Sequence, residues 1–409
     1  MRASFLVAWR YLARGGAVPI LLCATALLHW LLPGLVRTDG SAEAVRELTI
    51  YLSLAAVYAL LLIVSLVSAA SLTASERDAK RFAIARTRPV CMASVMAGKW
   101  CAPMLAAGLA LAVSAIWLLH GVAHENSRYM LRPGHGDLYA MAESEIDAYL
   151  AAPSTPEALK TMDRKRVLSH MVARELERKK VLAPGETVKW NFDALAQRKV
   201  PCTLQIRVAN EYGLKTDFRG KVKFGGECVQ FTNTTSRIIE VALPAAAGGE
   251  VEFTNESPVA IYYSPYRDVA LLVDGGTFAA NLLRTCVQIW ATIGVVTALG
   301  LFMGAAVSRN VAVFAGVAMI VASLAAPQIV EAQNDLAKAR LPDRIALGMT
   351  RLVAAATSQV MAPAPVDDLA SRLRQEDGVL ERQVAVDIAV ICPILLLLAA
   401  SIARRRDLP

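Results

Sequence analysis

The pair Gly98-Lys99 is the first place where the sequence could do chemistry, because nucleotide-binding loops use such a pair to hold phosphates. The rest of that loop is missing, since Ala93 stands in place of its first glycine and Trp100 in place of its Ser or Thr. The sequence also contains no Gly-x-Ser-x-Gly nucleophile motif and no His-Glu-x-x-His metal motif. We therefore expect a chain without catalytic residues, metal or cofactor, with any ATP bound and hydrolysed by a separate subunit.

Three polar residues near or within apolar stretches could serve a different chemistry. They are Arg284, Gln288 and Asp387. Ionisable residues inside membrane spans are rare, and they commonly pair with one another or mark a transport pathway. The alternative is that Arg284 and Asp387 lie within a turn or two of the membrane surface, where their charges can reach water.

Long apolar runs must position these residues. The chain has 409 residues, of which 55% are hydrophobic and 19% are charged, and its mean hydropathy is +0.42. Soluble domains are closer to a quarter charged, so the composition indicates a polytopic α-helical membrane protein. About six runs approach the roughly 20 residues that a bilayer core requires. They cover approximately residues 17–36, 49–72, 101–122, 278–307, 311–330 and 384–403.

Basic residues predict how the chain crosses the membrane. The net charge is +8, and because no dense basic run is interleaved with aromatics we expect no nucleic-acid partner. With six spans, the basic clusters within residues 1–14, 75–100 and 404–406 all fall on one side, and positive residues mark the cytoplasm. Residues 1–14 are expected to form an amphipathic helix along the lipid surface. This pattern predicts a multi-pass protein of the inner (cytoplasmic) membrane, and the Ala- and Arg-rich composition suggests a bacterium.

A polar region between the third and fourth spans is predicted to be a folded extracytoplasmic α+β domain. We place its bounds at residues 124–275, between a membrane part at 1–123 and another at 276–409. Residues 138–180 favour helices, and short β-prone stretches then alternate with turn residues, as in an antiparallel β-sandwich. A second outer segment, 331–383, contains an amphipathic helical pattern. The predicted strands cover residues 188–192, 203–208, 221–224, 238–242, 251–254, 259–263 and 269–273.

Two cysteines, Cys202 and Cys228, fall within this polar domain. In an oxidising compartment they are candidates for a disulfide, which would contribute about 3 kcal/mol through loop entropy. The alternative is two independent buried thiols, since unpaired cysteine often behaves as a small hydrophobic residue.

The connection between the second and third spans carries a recognisable order of residues. A glutamate is followed by basic residues, a Pro-Val pair and then Gly-Lys at the start of the next span. This order resembles the permease subunits of ABC transporters of the second exporter type. Those permeases commonly have Gly-Thr where this chain has Lys80-Arg81. The residues that match the family pattern are Glu76, Pro89, Val90, Gly98 and Lys99.

The resemblance implies a permease that forms a homo- or heterodimer in the lipid bilayer and pairs with separate ABC ATPase subunits. Residues 76–94 would then be a coupling helix whose charges, including Arg77, seat in the ATPase, because packed elements transmit motion as units. The alternative to a coupling helix is a solvated, positively charged cytoplasmic loop without a coupling role. The compact form of such permeases lacks an insertion as large as residues 124–275, so the resemblance covers the membrane portion and leaves this domain unexplained. An extracytoplasmic partner is one role for it.

Two further functions remain open at this point. The first is a membrane-anchored binding or assembly protein, in which the outer domain does the work. The second is a subunit that transmits ATP-driven motion to the outer domain without transporting a substrate.

Overall fold

The structure is a computed structural model. It describes residues 1–35, 42–79, 91–121, 126–133, 136–151, 164–192, 201–208, 217–233, 238–245, 249–332, 366–374 and 377–405. The described residues divide into two units, one of them running from Asn126 to Gly276 and the other containing the remainder of the chain.

The larger unit is a helical membrane domain. Among the residues that the structure describes, five of its helices are long and apolar enough to cross a bilayer, so the protein is a multi-pass membrane protein. A further helix, α8, has only its first part, Arg309–Val321, described in side-chain detail. The helices are α1 (Arg2–Arg14), α2 (Ala17–Leu35), α3 (Ala42–Asp78), α4 (Met92–Gly121), α7 (Phe278–Ala306), α8 (Arg309–Ala332), α9 (Val366–Ala370), α10 (Asp377–Val386), a π-helical turn (Asp387–Ile391) and α11 (Cys392–Arg405).

Helix α7 is the centre of this unit. In its most apolar window 72% of the residues are buried, against 22% for α2 and for the last span. Small residues let it approach α3 closely: a Cβ at Gly300 would lie 2.9 Å from the Ala69 Cβ, and one at Gly304 would lie 2.5 Å from the Ala70 carbonyl oxygen. Gly300 and Gly304 are four residues apart, which is the small-xxx-small spacing that membrane helices use to pack backbone against backbone.

In its described residues, the smaller unit contains two helices and ten strands. Helix α6 (Arg164–Glu177) lies within the predicted helical part, and α5 (Gly136–Ala151) overlaps it, beginning two residues earlier. Two four-stranded antiparallel sheets have the orders β1-β10-β4-β7 and β3-β8-β5-β6, and β2 pairs with β9. The strands are β1 (Ser127–Leu131), β2 (Lys180–Leu182), β3 (Thr187–Asn191), β4 (Cys202–Arg207), β5 (Phe218–Phe224), β6 (Glu227–Asn233), β7 (Ile238–Leu243), β8 (Glu250–Asn255), β9 (Ile261–Tyr263) and β10 (Val269–Gly276).

Both four-stranded sheets contribute to one apolar core. Strand β4 buries alternate residues, and so does β5, as expected for strands with one covered face. Trp190 on β3 stacks on Phe253 of β8 and meets Tyr263 of β9 edge-on. Leu204 and Ile206 of β4 belong to the same cluster, so the two sheets share their hydrophobic contacts.

All seven predicted strands lie within or overlap observed ones, but three further strands were missed. Strand β6 follows β5 through a tight turn in which Gly225 and Gly226 both have positive φ. A Gly-Gly pair between two β-prone runs is a hairpin signal. The strands β1 and β2 lack a clear alternation of apolar and polar residues, so their pairing with β10 and β9 is set by the fold.

Helix boundaries also differ from the predicted spans. Helix α4 begins at Met92, nine residues before the predicted third span, so Gly98 and Lys99 lie inside a helix. Glu76 and Arg77 lie in the last turn of α3, which ends at Asp78. The ends of the predicted coupling helix are therefore parts of the membrane helices, because the helical pattern continues past the apolar run. The predicted amphipathic helix near residues 345–360 lies outside the described residues.

Candidate functional site

A buried ion pair joins α3 to α4. The Lys99 ammonium donates to the Glu76 carboxylate at 2.5 Å, with 3% of the Lys99 side chain and 22% of the Glu76 side chain exposed. Glu76 ends one membrane helix and Lys99 lies seven residues into the next, so the pair closes the connection that runs from residue 79 to residue 91. A buried charge is stable only when it is paired, so each residue fixes the position of the other.

The neighbouring residue, Gly98, allows helix α1 to pack closely against α4 beside this ion pair. A Cβ at Gly98 would lie 2.7 Å from the Met1 carbonyl oxygen and 2.9 Å from the Ser4 Cβ. Only a residue without a side chain permits this approach of one helix to another. The burial of Ala8 and Leu12 in the membrane-domain core fits an amphipathic helix lying against the bundle.

Arg77 ties α3 to the end of α7. Its guanidinium donates to the Gly304 carbonyl at 3.4 Å and to the Val307 carbonyl, and it also binds the Asp78 carboxylate at 2.7 Å. The last carbonyls of a helix have no partner within the helix and carry its negative dipole end, so a cation there satisfies both needs.

Together these contacts form one structure, which we call the junction: Glu76, Arg77, Gly98 and Lys99. It holds α1, α3, α4 and α7 together at the two ends of the 79–91 connection. The junction therefore links four helices of the membrane domain. Pro89 and Val90, which the sequence placed in the same motif, lie outside the described residues.

A second group of polar residues lies within the membrane domain. The Gln288 side chain of α7 is buried, and its Nε2 donates to the side-chain Oε1 of Gln383 on α10 at 2.6 Å. Asp387 is one helical turn beyond Gln383, is only 2% exposed, and lies close enough to the Tyr58 hydroxyl of α3 for the two to interact electrostatically. Arg284, one turn before Gln288, is half-buried.

Sequence reasoning selected Gln288 and Asp387 but missed Tyr58 and Gln383. The available signal for Gln383 was its position four residues before Asp387, which places the two side chains on the same face of a helix. Tyr58 gave none, because a single tyrosine in an apolar run is ordinary.

The structure does not bring Cys202 and Cys228 together, and both are free thiols. Cys202 lies on β4 and points into the core, while Cys228 lies on β6 in the other four-stranded sheet and is exposed. The predicted disulfide is therefore not formed, because the two side chains leave different sheets in different directions. Burial raises the pKa of the Cys202 thiol, which makes it still less reactive.

In the folded protein, a maleimide is expected to modify Cys228 and to leave Cys202 unmodified until the chain is unfolded, because only the exposed thiol meets the reagent. Mass spectrometry of the two peptides, before and after denaturation without reductant, measures this difference. A Cys228→Ser variant controls for reaction elsewhere. Protection of both cysteines in unreduced, denatured protein would instead mean that they form a disulfide.

Within the described ranges, no three His, Cys, Asp or Glu side chains lie close enough together to hold a metal ion. Comparison with protein-family models, with curated proteins and with solved structures found no match to the chain. The function is therefore inferred from the contacts of the junction and of the buried polar residues.

Proposed function

We propose that this chain is the membrane-spanning permease subunit of an ATP-driven transporter, with ATP hydrolysed on a separate subunit. The observation that carries the proposal is the junction, in which the Glu76–Lys99 ion pair closes a short connection between two membrane helices. An ATPase that moved this connection would move α3 and α4 together. Through Arg77 it would also move α7, the most buried helix of the bundle.

The junction is better suited to transmitting force than a solvated loop would be. Surface ion pairs contribute little and break easily, whereas Lys99 is 3% exposed and its ion pair lies between packed helices. The close approach at Gly98 adds a contact without flexible side chains. Packed elements of this kind shift between discrete arrangements instead of deforming continuously.

The finer architecture belongs to the same proposal. We take α8, which has 24 residues and therefore a length of about 36 Å, as the sixth span. Six spans place the junction on the cytoplasmic side of an inner membrane, where basic residues accumulate. The two four-stranded sheets would then form an extracytoplasmic sandwich that recruits a substrate or a partner, and two permease chains would form the dimer.

Purification of the tagged chain from its native host in mild detergent tests the proposal. We expect a stoichiometric ATPase subunit to co-purify and the complex to hydrolyse ATP. Replacing Pro89 by Ser and Val90 by Asp should remove the ATPase, whereas Lys221→Gln on β5 should leave it bound, because β5 belongs to the other unit. A folded chain that carries no nucleotide hydrolysis would contradict the proposal and favour the anchored binding protein.

Arg77→Gln is expected to retain the ATPase subunit while reducing transport, because the variant loses the charge that holds the end of α7. The measurement is ATP hydrolysis and substrate flux in the same reconstituted vesicles. Flux that remains coupled to hydrolysis in Arg77→Gln would show that this contact does not transmit motion. ATP hydrolysis without flux in the unmodified protein would indicate a subunit that transmits motion without transport.

A further inference from the structure

Asp387 is a buried carboxyl group in the membrane domain. It begins the π-helical turn that separates α10 from α11, and it is 2% exposed. Turns of this kind are rare and occur frequently at functional sites. Among the described residues no cation pairs with Asp387, and burying an unpaired carboxylate in a membrane is far more costly than burying the neutral acid.

Polar and titratable groups approach Asp387 from several elements. Tyr58 of α3 and the Cys392 thiol at the start of α11 both lie within electrostatic range of Asp387. Gln383 is on the same face one turn earlier, bound to Gln288 of α7. On the α4 side the contacts are apolar, since Trp100 packs against the residues that follow Asp387. The helices packed around Asp387 also carry charged residues. Arg284 of α7 is half-buried, and Glu381 and Arg382 of α10 are exposed.

A buried polar stripe on α7 leads to the same region. Its four members recur at i, i+4, i+7 and i+11, which places them on one face of the helix. At the end where α7 begins, the stripe is bound to the loop after α9, because the Asn281 amide donates to the Leu373 carbonyl at 3.0 Å. All four are at most 5% exposed. They are Asn281, Thr285, Gln288 and Thr292.

The stripe retains open hydrogen-bonding capacity. The hydroxyls of Thr285 and Thr292 donate to carbonyls of their own helix, and each oxygen can still accept a hydrogen bond. The Gln288 Oε1 atom is buried and accepts no hydrogen bond from the described residues. An orphaned acceptor in a dry region costs free energy unless a donor reaches it at some stage.

From this geometry we propose that Asp387 is a proton-binding site, which exchanges its proton along the Asn281–Thr292 stripe with the side of the membrane where α7 begins. In the packed bundle the site holds the neutral acid, Asp387–COOH. When the bundle opens on that side, the O–H bond breaks, the electron pair remains on the carboxylate and the proton passes to water. The site is independent of which energy source moves the bundle, so failure of the ATP-driven proposal would not remove it.

Infrared spectroscopy of the full-length protein in a detergent without ester groups tests the site directly, because the carbonyl stretching band of a protonated carboxyl is then not overlapped by lipid esters. At neutral pH exposed carboxyl groups are ionised, so among the described residues we expect this band from Asp387. Asp387→Asn should abolish it, Asp387→Glu should shift its frequency, and Asp217→Asn, at an exposed position in the β unit, should leave it unchanged. Absence of the band in the unmodified protein, or its persistence in Asp387→Asn, would overturn the proposal.

Exchange into D₂O tests the route. The band should shift as the O–H group becomes O–D, and Gln288→Leu should slow this shift by about tenfold, the effect of one lost hydrogen bond on the exchange barrier. The variant leaves Asp387 in place, so it remains informative if Asp387→Asn fails to fold. An unchanged exchange rate in Gln288→Leu would exclude the stripe as the route.

Discussion

Glu76→Met is expected to destabilise the membrane domain by about 3–5 kcal/mol, the cost of removing the carboxylate that neutralises a buried ammonium group. Removing the other partner, in Lys99→Met, should reduce the stability less. The Glu76 side chain that then remains is 22% exposed, whereas the Lys99 side chain that remains in Glu76→Met is only 3% exposed. The double variant should recover part of the loss, since two apolar side chains of similar size replace the pair. Thermal unfolding of the purified protein, followed by tryptophan fluorescence, measures all three.

An exposed ion pair in the same chain provides the control. Lys189 and Glu252 are 2.5 Å apart, as close as Glu76 and Lys99, but 59% of the Lys189 side chain is exposed. Lys189→Met should therefore change the unfolding temperature little, because solvent already screens the pair. If Glu76→Met were as mild as Lys189→Met, the junction would be a solvated contact and could not transmit force.

Gly304→Ala is expected to lower the stability of the bundle by about 2 kcal/mol or more, because the added Cβ would lie 2.5 Å from the Ala70 carbonyl oxygen. Backbone atoms cannot rotate away as a flexible side chain could, so α3 and α7 must separate. The separation would also pull the Gly304 carbonyl away from Arg77.

The matched control for this change is Gly34→Ala, near the end of α2. No described heavy atom lies within 4 Å of a Cβ built there, and alanine favours a helix over glycine by about 1 kcal/mol. The two substitutions are chemically identical, yet we expect opposite signs in the unfolding temperature. A stabilising Gly304→Ala would show that α3 and α7 do not pack backbone against backbone.

The presence of membrane helices and of antiparallel sheets could be predicted because each rests on local patterns. Apolar runs of bilayer length identified the spans, and alternation identified strands such as β4 and β5. Glu76 and the Gly98-Lys99 pair were both noticed, but the ion pair between Glu76 and Lys99 was not, because pairing across 23 residues depends on the register of two packed helices. The interaction of Arg77 with α7 depends in the same way on tertiary packing.

Errors arose where the same local signal has two meanings. Cys202 and Cys228 could be read either as a disulfide or as separate thiols, and only the sheet order places them in different sheets. The start of α4 was put at the beginning of the apolar run, although helices extend into polar residues as long as their backbone hydrogen bonds continue. Gly304 was overlooked because close approach requires two helices to be known.

Two contacts of the junction, the Glu76–Lys99 ion pair and the hydrogen bond from Arg77 to Gly304, can form at different times during synthesis. Glu76 and Lys99 are 23 residues apart, so both emerge from the ribosome within seconds of each other. Arg77 and the carbonyl of Gly304 are separated by 227 residues, which at about 5–20 residues per second means a delay of about 10–45 s. The Glu76–Lys99 and Arg77–Asp78 ion pairs both lie within the part of the chain that is already made during that interval. The first helices can therefore pair their buried lysine before α7, the most buried helix of the bundle, has been synthesised.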